Sequence, residues 1–418
     1  MIYKEYQDIP EDWSLVRLDQ IAEINPRKSK KVLQNGELVD VTPETSVTFL
    51  AMKDVSESAK ILNRQDKLYA EVEKGYTSFK EEDILVAKIT PCFENGKGAW
   101  AKGLSNGIGF GTTEFHVIRP NEEINKKWLN YITSSYYFRK RGELNMQGSA
   151  GQKRIPTDFV KSYRLPKPPK NEQDQIAKTI STCEETISKT EKLINAKKRY
   201  KKGLMQRLLS GRVRFPEFEG EDWVEVKLGE VFDRVTEKNE TELVKNVLTI
   251  SAQDGLVSQT DYYNKSVASK DLSNYIVLNR GEFAYNKSYS EGYPLGAIKR
   301  LDDYEQGVLS PLYICFKLTS DKVDSDFITH FFEYGGLNHG IYKIAREGAR
   351  NHGLLNVSVK DFFEIDLKLP SRKEQVKIAM LLNEASKEIE LLETQLDKYK
   401  NQKKGLMQQL LTGKVRVN

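Results

Sequence analysis

The sequence predicts an α+β chain with two α/β-like globular domains and two long antiparallel coiled-coil helices. Three observations predict it: a long internal repeat, a heptad pattern in the parts that repeat best, and short β-rich runs in the parts that differ. At 418 residues, the chain is also long enough for two or three domains of roughly 150 residues each. We expect a pseudo-twofold axis to relate the two repeats.

The repeat is carried by three motifs that return in the same order. The run from Lys201 to Gln206, Lys-Lys-Gly-Leu-Met-Gln, recurs unchanged 202 positions later, and Leu-Leu-[Ser/Thr]-Gly-[Arg/Lys]-Val-Arg follows both copies. Glu172-Gln173 matches Glu374-Gln375 at the same offset. A third motif, Glu-Asp-Trp-x-x-Val-x-Leu, occupies residues 11–18 and 221–228. Motifs in one fixed order indicate duplication of an entire unit.

The segments that repeat best have apolar or small residues in steps of 4, 3, 4, 3 and 4. Such spacing is typical of a coiled-coil helix. These positions are Ile176, Ile180, Cys183, Ile187, Thr190 and Ile194 in the first copy, and Ile378, Leu382, Ala385, Ile389, Leu392 and Leu396 in the second. The predicted coiled-coil core is formed by the large side chains Ile176, Ile180, Ile187, Ile194, Ile378, Leu382, Ile389 and Leu396.

The first helix is predicted over residues 172–209, because prolines precede the heptads and Gly211 follows them. Such a helix would be about 57 Å long at 1.5 Å per residue. A heptad stripe can also pack a helix onto its own domain, but this length exceeds the diameter of a domain of about 150 residues. We therefore expect the two helices to pair antiparallel, as a rigid spacer with a globular domain at each end.

These patterns divide the chain into residues 1–165, 166–214, 215–368 and 369–418, in which globular domains alternate with helical segments. Strands are predicted at residues 83–89, 114–118 and 312–316, and helices around 126–139 and 325–334. The glycine-rich runs 95–98 and 107–111 predict tight loops between strands.

Composition excludes several classes of protein. No apolar run approaches the roughly 20 residues of a membrane helix, and the first residues lack a secretory signal, so we expect a cytoplasmic protein. Three distant cysteines and four scattered histidines predict neither disulfides nor a metal site. The net charge of the chain is +5, whereas residues 172–214 alone have a net charge of +6. Any contact of the globular domains with nucleic acid must therefore use local basic patches.

Catalytic and nucleotide-binding motifs are absent from the sequence. It contains no Asp/Asn-Pro-Pro-Tyr/Phe motif, no glycine loop for S-adenosylmethionine and no Gly-x-x-x-x-Gly-Lys-Ser/Thr loop. Glu225-Val226-Lys227 is similar to half of a nuclease signature, but it lies in a repeated motif and is interpreted as structural. The sequence predicts a protein that is not an enzyme on its own and binds no cofactor.

The repeated motifs together resemble the specificity subunits of type I restriction-modification systems, over essentially the whole chain. The resemblance implies two target-recognition domains that alternate with two conserved helical segments, and a bipartite, asymmetric DNA target with one half for each domain. It also implies double-stranded DNA, two adenine-methyltransferase subunits and optionally two restriction subunits as partners. S-adenosylmethionine, ATP and Mg²⁺ are then expected on those partner subunits.

The best candidates for DNA contacts are polar and basic residues in loops, because Asn and Gln can pair with adenine, Arg and Lys with guanine, and Ser, Thr and Lys with phosphates. In the first domain they are Lys88, Thr90, Asn95, Lys97, Gln152, Lys153 and Arg154. In the second domain they are Asn286, Lys287, Ser288, Tyr289, Arg350, Asn351 and His352. For any single residue, a solvated turn is the competing interpretation.

Two groups of lysines near the helix ends, at residues 197–202 and 403–404, allow three interpretations. They can stabilise a helix C-terminus, cover a solvated face or contact phosphates between the half-sites. The function of the whole chain has alternatives as well: a scaffold that holds two protein-binding domains without DNA, the specificity subunit of a stand-alone methyltransferase, or a self-contained nuclease or methylase.

Overall fold

The computed structural model places the chain in two compact units, each formed by parts of both repeats. The first unit comprises Met1–Glu191 and Gln395–Asn418, and the second comprises Lys192–Thr394. The structure describes residues 6, 9–28, 31–34, 37–149, 151–263, 271–345 and 355–417.

The first unit contains twelve strands and five short helices in its described part. The strands are β1 (Ser14–Arg17), β2 (Ala22–Ile24), β3 (Lys31–Gln34), β4 (Glu37–Asp40), β5 (Ser46–Leu50), β6 (Gln65–Leu68), β7 (Thr77–Lys80), β8 (Ile84–Ala87), β9 (Gly98–Trp100), β10 (Ile108–Gly111), β11 (Phe115–Pro120) and β12 (Arg164–Lys167). The helices are α1 (Leu18–Ile21), α2 (Tyr69–Val72), α3 (Lys126–Ser134), α4 (Tyr136–Leu144) and α5 (Thr157–Ser162).

Two four-stranded sheets form the centre of this unit, with strand orders β2-β11-β8-β9 and β6-β5-β10-β7. All four residues of β8 are buried, because this strand is covered on both faces. Ile84 and Val86 belong to the hydrophobic cluster of Trp128 on α3, whereas Leu85 belongs to that of Phe79 on β7. The continuous apolar run at residues 84–87 follows from burial on both sides.

The second unit repeats this plan with its own strands and helices. The strands are β13 (Val224–Lys227), β14 (Phe232–Arg234), β15 (Leu248–Ser251), β16 (Gly255–Ser258), β17 (Ile276–Asn279), β18 (Phe283–Asn286), β19 (Ala297–Arg300), β20 (Gln306–Leu309), β21 (Ile314–Leu318) and β22 (Asp366–Leu369). The short helices are α7 (Leu228–Val231), α8 (Gln259–Tyr263), α9 (Ser325–Tyr334), α10 (Asn338–Ile344) and α11 (Val359–Phe363). The sheet β14-β21-β18-β19 has the strand order of β2-β11-β8-β9 in the first unit.

Two sequence expectations are wrong in detail. The run 107–111 is not a tight loop, since Ile108–Gly111 forms β10 between β5 and β7. A Cβ atom on Gly109 would lie 2.0 Å from the Phe79 ring, so glycine is needed here for the aromatic packing. The helix predicted around residues 126–139 is divided at Ser135, which has extended backbone angles and whose side chain caps α4 by accepting from Phe138 N–H.

Two long helices complete both units: α6 (Lys170–Leu208) and α12 (Arg372–Leu410), of 39 residues each. Gly203 and Gly405 lie inside them. Ion pairs join the helices at Lys400–Glu191 (3.2 Å) in the first unit and at Lys197–Glu388 (2.7 Å) in the second. In the first unit the further pair Lys403–Glu184 shows that the helices run antiparallel, and in the second unit Lys198 also pairs with Glu393. The predicted α+β class with a long helix pair is confirmed.

The apolar residues at the heptad positions pack into the globular cores as well as between the two long helices. Ile176 and Ile180 share a hydrophobic cluster with Trp128 of the first unit, and Ile378 and Leu382 share one with Phe327 of the second. Ile194 and Ile389 are also buried, whereas Ile187 and Leu396 are half-buried. The interpretation set aside on length, packing of the helix onto its own domain, therefore applies to the first turns of each helix.

No helix in the described part of the chain is both long and apolar enough to cross a bilayer.

Candidate nucleic-acid interface

The carboxyl end of β8 brings two of the predicted loops together in the first unit. Lys88 N–H donates to Glu114 O at 2.7 Å, and Lys88 O accepts from Ile155 N–H at 3.0 Å. Thr90 N–H donates to Lys153 O at 3.0 Å, and its hydroxyl donates to Gly151 O at 3.3 Å. We call the described residues of 88–97, 112–114 and 147–155 the first loop edge.

Three of the predicted cations on the first loop edge have partners within the protein. Arg154 forms a bidentate ion pair with Glu114, in which Nη2 donates to Oε1 at 2.8 Å and Nε donates to Oε2 at 3.1 Å. Lys88 Nζ donates to Thr113 O at 2.8 Å, and burial lowers the pKa of its ammonium group. Lys97 Nζ donates to Met52 O at 3.3 Å.

The remaining candidates on this edge are less engaged. Asn95, Gln152 and Lys153 are exposed, and within the part of the chain that the structure describes no side-chain hydrogen bond or ion pair holds them. These three side chains, rather than the three cations with internal partners, are the ones free to contact a ligand.

Sequence reasoning missed residues that the second sheet brings to the same edge. Gly111 at the end of β10 pairs with Leu50 and with Thr77, so Thr112 lies beside the 3-10 turn Met52–Asp54. This placement adds Thr112 and the exposed Lys53 to the set of polar groups. The run 107–111 was the available signal, but its interpretation as a loop concealed the strand.

The second unit has an equivalent edge at the carboxyl end of β18. Lys287 O accepts from Leu355 N–H at 3.0 Å, which repeats the bond between Lys88 and Ile155. Ser288 N–H donates to Asn286 Oδ1 at 3.0 Å, and Tyr289 is 66% exposed. We call residues 286–290 and 310–313 the second loop edge. The other candidates of the second domain, Arg350, Asn351 and His352, lie outside the described residues.

A buried histidine supports the first loop edge from below. His116 is 1% exposed, and its Nε2–H donates to Ile155 O at 2.9 Å while Nδ1 accepts from Asn25 at 3.2 Å. Burial lowers the pKa of His116 to about 4, although the bond to Ile155 opposes this shift. The neutral imidazole therefore holds the backbone of Ile155, the residue that follows Arg154, through this hydrogen bond.

This lowered pKa predicts a pH dependence of stability. An unfolded histidine has a pKa of about 6.5, so below that pH the unfolded chain binds a proton that the folded unit does not. The first unit should lose up to about 3 kcal/mol of stability as the pH falls from 6.5 to 4. Urea unfolding at several pH values should show this slope, and His116→Gln should reduce it. The matched substitution at the exposed His339 should leave the slope unchanged; an equal reduction there would contradict the assignment.

The repeated motifs meet at one place in each unit, which we call the junction. In the first unit Glu172 accepts from Trp13 Nε1 at 2.9 Å and from Arg416 at 2.7 and 3.0 Å. In the second unit Arg214 pairs with Glu374. Each arginine follows one long helix and each glutamate lies at the start of the other. The motifs that repeat best therefore hold the helices to the globular parts.

The glutamines beside these glutamates have the same structural role. Gln173 accepts from Asn125 N–H at 2.9 Å and donates to Pro168 O at 3.0 Å. Gln375 accepts from Asp324 N–H at 2.8 Å and donates to Pro370 O at 2.9 Å. Each glutamine thus ties its long helix to the residue that caps α3 or α9.

Three of the lysines near the helix ends have partners that none of the three sequence interpretations included. Lys197, Lys198 and Lys403 form ion pairs with glutamates of the opposite long helix. Lys404 is exposed. Pairing between helices is the role that the structure adds.

The described residues contain no group of three or more His, Cys, Asp and Glu side chains that could hold a metal ion.

Comparisons with known proteins agree with this architecture. Residues 10–198 match the family model described as type I restriction modification DNA specificity domain. The chain is 34% identical over 261 residues to the type I restriction enzyme EcoEI specificity subunit of Escherichia coli, an alignment that covers 60% of this chain and 41% of that protein. It is 25% identical over 430 residues to the MjaVIII specificity subunit of Methanocaldococcus jannaschii, covering 98% of this chain and 94% of that protein. The chain thus spans about two fifths of the first relative's length and nearly all of the second's.

Among solved structures, the HsdS subunit from Thermoanaerobacter tengcongensis aligns with a TM-score of 0.54 and 16% identity, over 97% of this chain and 98% of that one. At this identity the likeness concerns the fold alone. The matched domain makes residues 10–198 similar to the DNA specificity domains of type I restriction-modification systems. The chain as a whole is similar to the type I specificity subunits named above.

Proposed function

We propose that this chain reads a bipartite, asymmetric DNA sequence, with one half-site for each loop edge. The observation that carries the proposal is the equivalence of the two edges: the same strand order and the same backbone bond present different side chains in the two units. Equivalent frames with different polar groups suit two different half-sites. The exposed Gln152 and Lys153 of the first edge and Tyr289 of the second are the proposed base or phosphate contacts.

The long helices are proposed to set the distance between the half-sites and to bind two methyltransferase subunits, which in turn recruit restriction subunits. Their exposed polar faces support a docking role, since the stripe itself is largely used inside the protein. S-adenosylmethionine, ATP and Mg²⁺ are proposed to bind to those partner subunits and not to this chain. This division of labour fits a sequence without motifs for methylation or nucleotide binding.

The test is genome-wide mapping of N6-methyladenine in a methylation-free host that expresses the chain with its neighbouring methyltransferase subunit. We expect a two-part motif with one modified adenine on each strand. Gln152→Ala with Lys153→Ala should relax only one half of that motif, and Tyr289→Ala only the other, because each edge reads its own half. No motif from two soluble, co-purifying proteins would favour a protein-binding scaffold instead.

A further inference from the structure

A cavity of about 230 Å³ in the first unit lies outside the loop edge and has a strongly cationic lining. The loop at residues 58–64, the end of β9 and helix α3 enclose it. Its four cations are Lys60, Arg64, Lys102 and Lys127. Within the described residues, none of these four side chains forms an ion pair with a carboxylate. Arg64 donates to Lys102 O at 2.9 Å, and Lys102 Nζ lies 4.6 Å from the centre of the Trp100 ring.

Two buried polar atoms in this lining lack hydrogen-bond partners among the described residues. They are the indole Nε1 of Trp100 and Oδ1 of Asn130, whose residue is only 7% exposed. Both atoms are shielded from solvent, so a ligand in the cavity cannot contact them and they take no part in its binding. The one carboxylate of the lining, Glu184, already accepts from Lys403 and from Tyr131. The excess charge of the cavity is therefore positive.

A second cavity of about 300 Å³ adjoins the first and shares Ser58, Asn130, Tyr131 and Glu184 with it. Its lining includes Tyr136, Tyr137 and Met407, which offer rings and apolar surface. A ligand whose anionic group enters the cationic cavity thus has space beside it for an organic part. Concave sites with a few convergent polar groups are typical of small-molecule binding.

We propose that the cationic cavity binds a phosphate group, held by Lys60, Arg64, Lys102 and Lys127. Phosphate oxygens accept several hydrogen bonds. Their negative charge can pair with these four cations, which have no carboxylate partner among the described residues. The phosphate can belong to a free nucleoside phosphate or to a DNA strand. In the second case the inference rests on the proposed function, because it adds a phosphate contact to the DNA-reading unit.

Isothermal titration calorimetry on the full chain, with adenosine monophosphate and with adenosine as probes, tests the first source. We expect the monophosphate to bind more tightly than adenosine. Lys102→Gln combined with Lys127→Gln should weaken that binding at least tenfold. Lys74→Gln, at an exposed lysine outside the cavity, is the matched control and should bind as the unsubstituted chain does. Thermal unfolding of each variant shows whether it is folded.

Binding of a nonspecific duplex at several salt concentrations tests the second source. If DNA supplies the phosphates, the double variant should bind any duplex more weakly, and the slope of log K against log salt should fall by about 2, because each neutralised phosphate contributes about 0.9. Lys74→Gln should leave this slope unchanged. Failure of both arms, with the double variant equal to the control, would overturn the inference. A bipartite methylation motif in that case would still support the proposed function, so the two failures are distinguishable.

Discussion

Deleting one heptad from each long helix, residues 190–196 and 392–398, is expected to shorten the central gap of the DNA target or to abolish binding. The two segments are equivalent in the repeats and contain Ile194 and Leu396. Each deletion removes about 10 Å of helix. That length corresponds to about 3 base pairs at 3.4 Å per pair along each strand. Since the hydrophobic stripe repeats every seven residues, the flanking heptads keep their facing sides.

Mapping of N6-methyladenine with the deleted chain and its methyltransferase measures the gap directly. Deleting residues 190–196 alone is the control, because it shifts the pairing of α6 against α12 and should cost stability and DNA binding together. A shorter gap with intact half-sites is the expected outcome for the double deletion if the shortened protein still engages DNA. An unchanged gap would exclude the helices as the element that sets the spacing.

The long helices were predictable because their signal is local and regular. The prediction of residues 172–209 differs from α6 by two residues at its start and one at its end. Short strands such as β8 and β11 were also predictable, since buried β-branched runs are bounded by polar turns. Period and composition within one segment decide these elements.

Contacts between distant segments were not predictable. Nothing near Thr90 in the sequence indicates that its partners are Gly151 and Lys153. β10 was mistaken for a loop because Gly109 leaves room for the Phe79 ring, which lies about 30 positions earlier in the chain. The role of Arg416 depends on its bond to Glu172 in the other repeat. The sequence therefore showed the motif that contains Arg416 but not the contact that this residue makes.

A large loss of stability is expected from a substitution at the junction of the second unit. Arg214 Nε donates to Glu374 Oε1 at 3.0 Å and Nη2 donates to Oε2 at 2.5 Å, and the two side chains are 16% and 1% exposed. Arg214→Met would leave the Glu374 carboxylate buried without its cation. Removing one partner of a buried pair typically costs 3–5 kcal/mol, and the partial exposure of Arg214 favours about 3 kcal/mol here. Urea unfolding followed by circular dichroism measures the loss.

Arg17→Met is the matched control, because Arg17 also pairs with a carboxylate, Asp19, but its side chain is 50% exposed. An exposed pair contributes at most about 1 kcal/mol, so this variant should be nearly as stable as the unsubstituted chain. Adding Glu374→Leu to Arg214→Met should recover much of the loss, since it removes the stranded charge. Equal losses at Arg214 and Arg17, or no recovery in the double variant, would mean that the junction is held by apolar packing. Hydrogen exchange should localise the loss of stability to the first turns of α12. There Glu374, near the start of α12, pairs with Arg214, which follows α6.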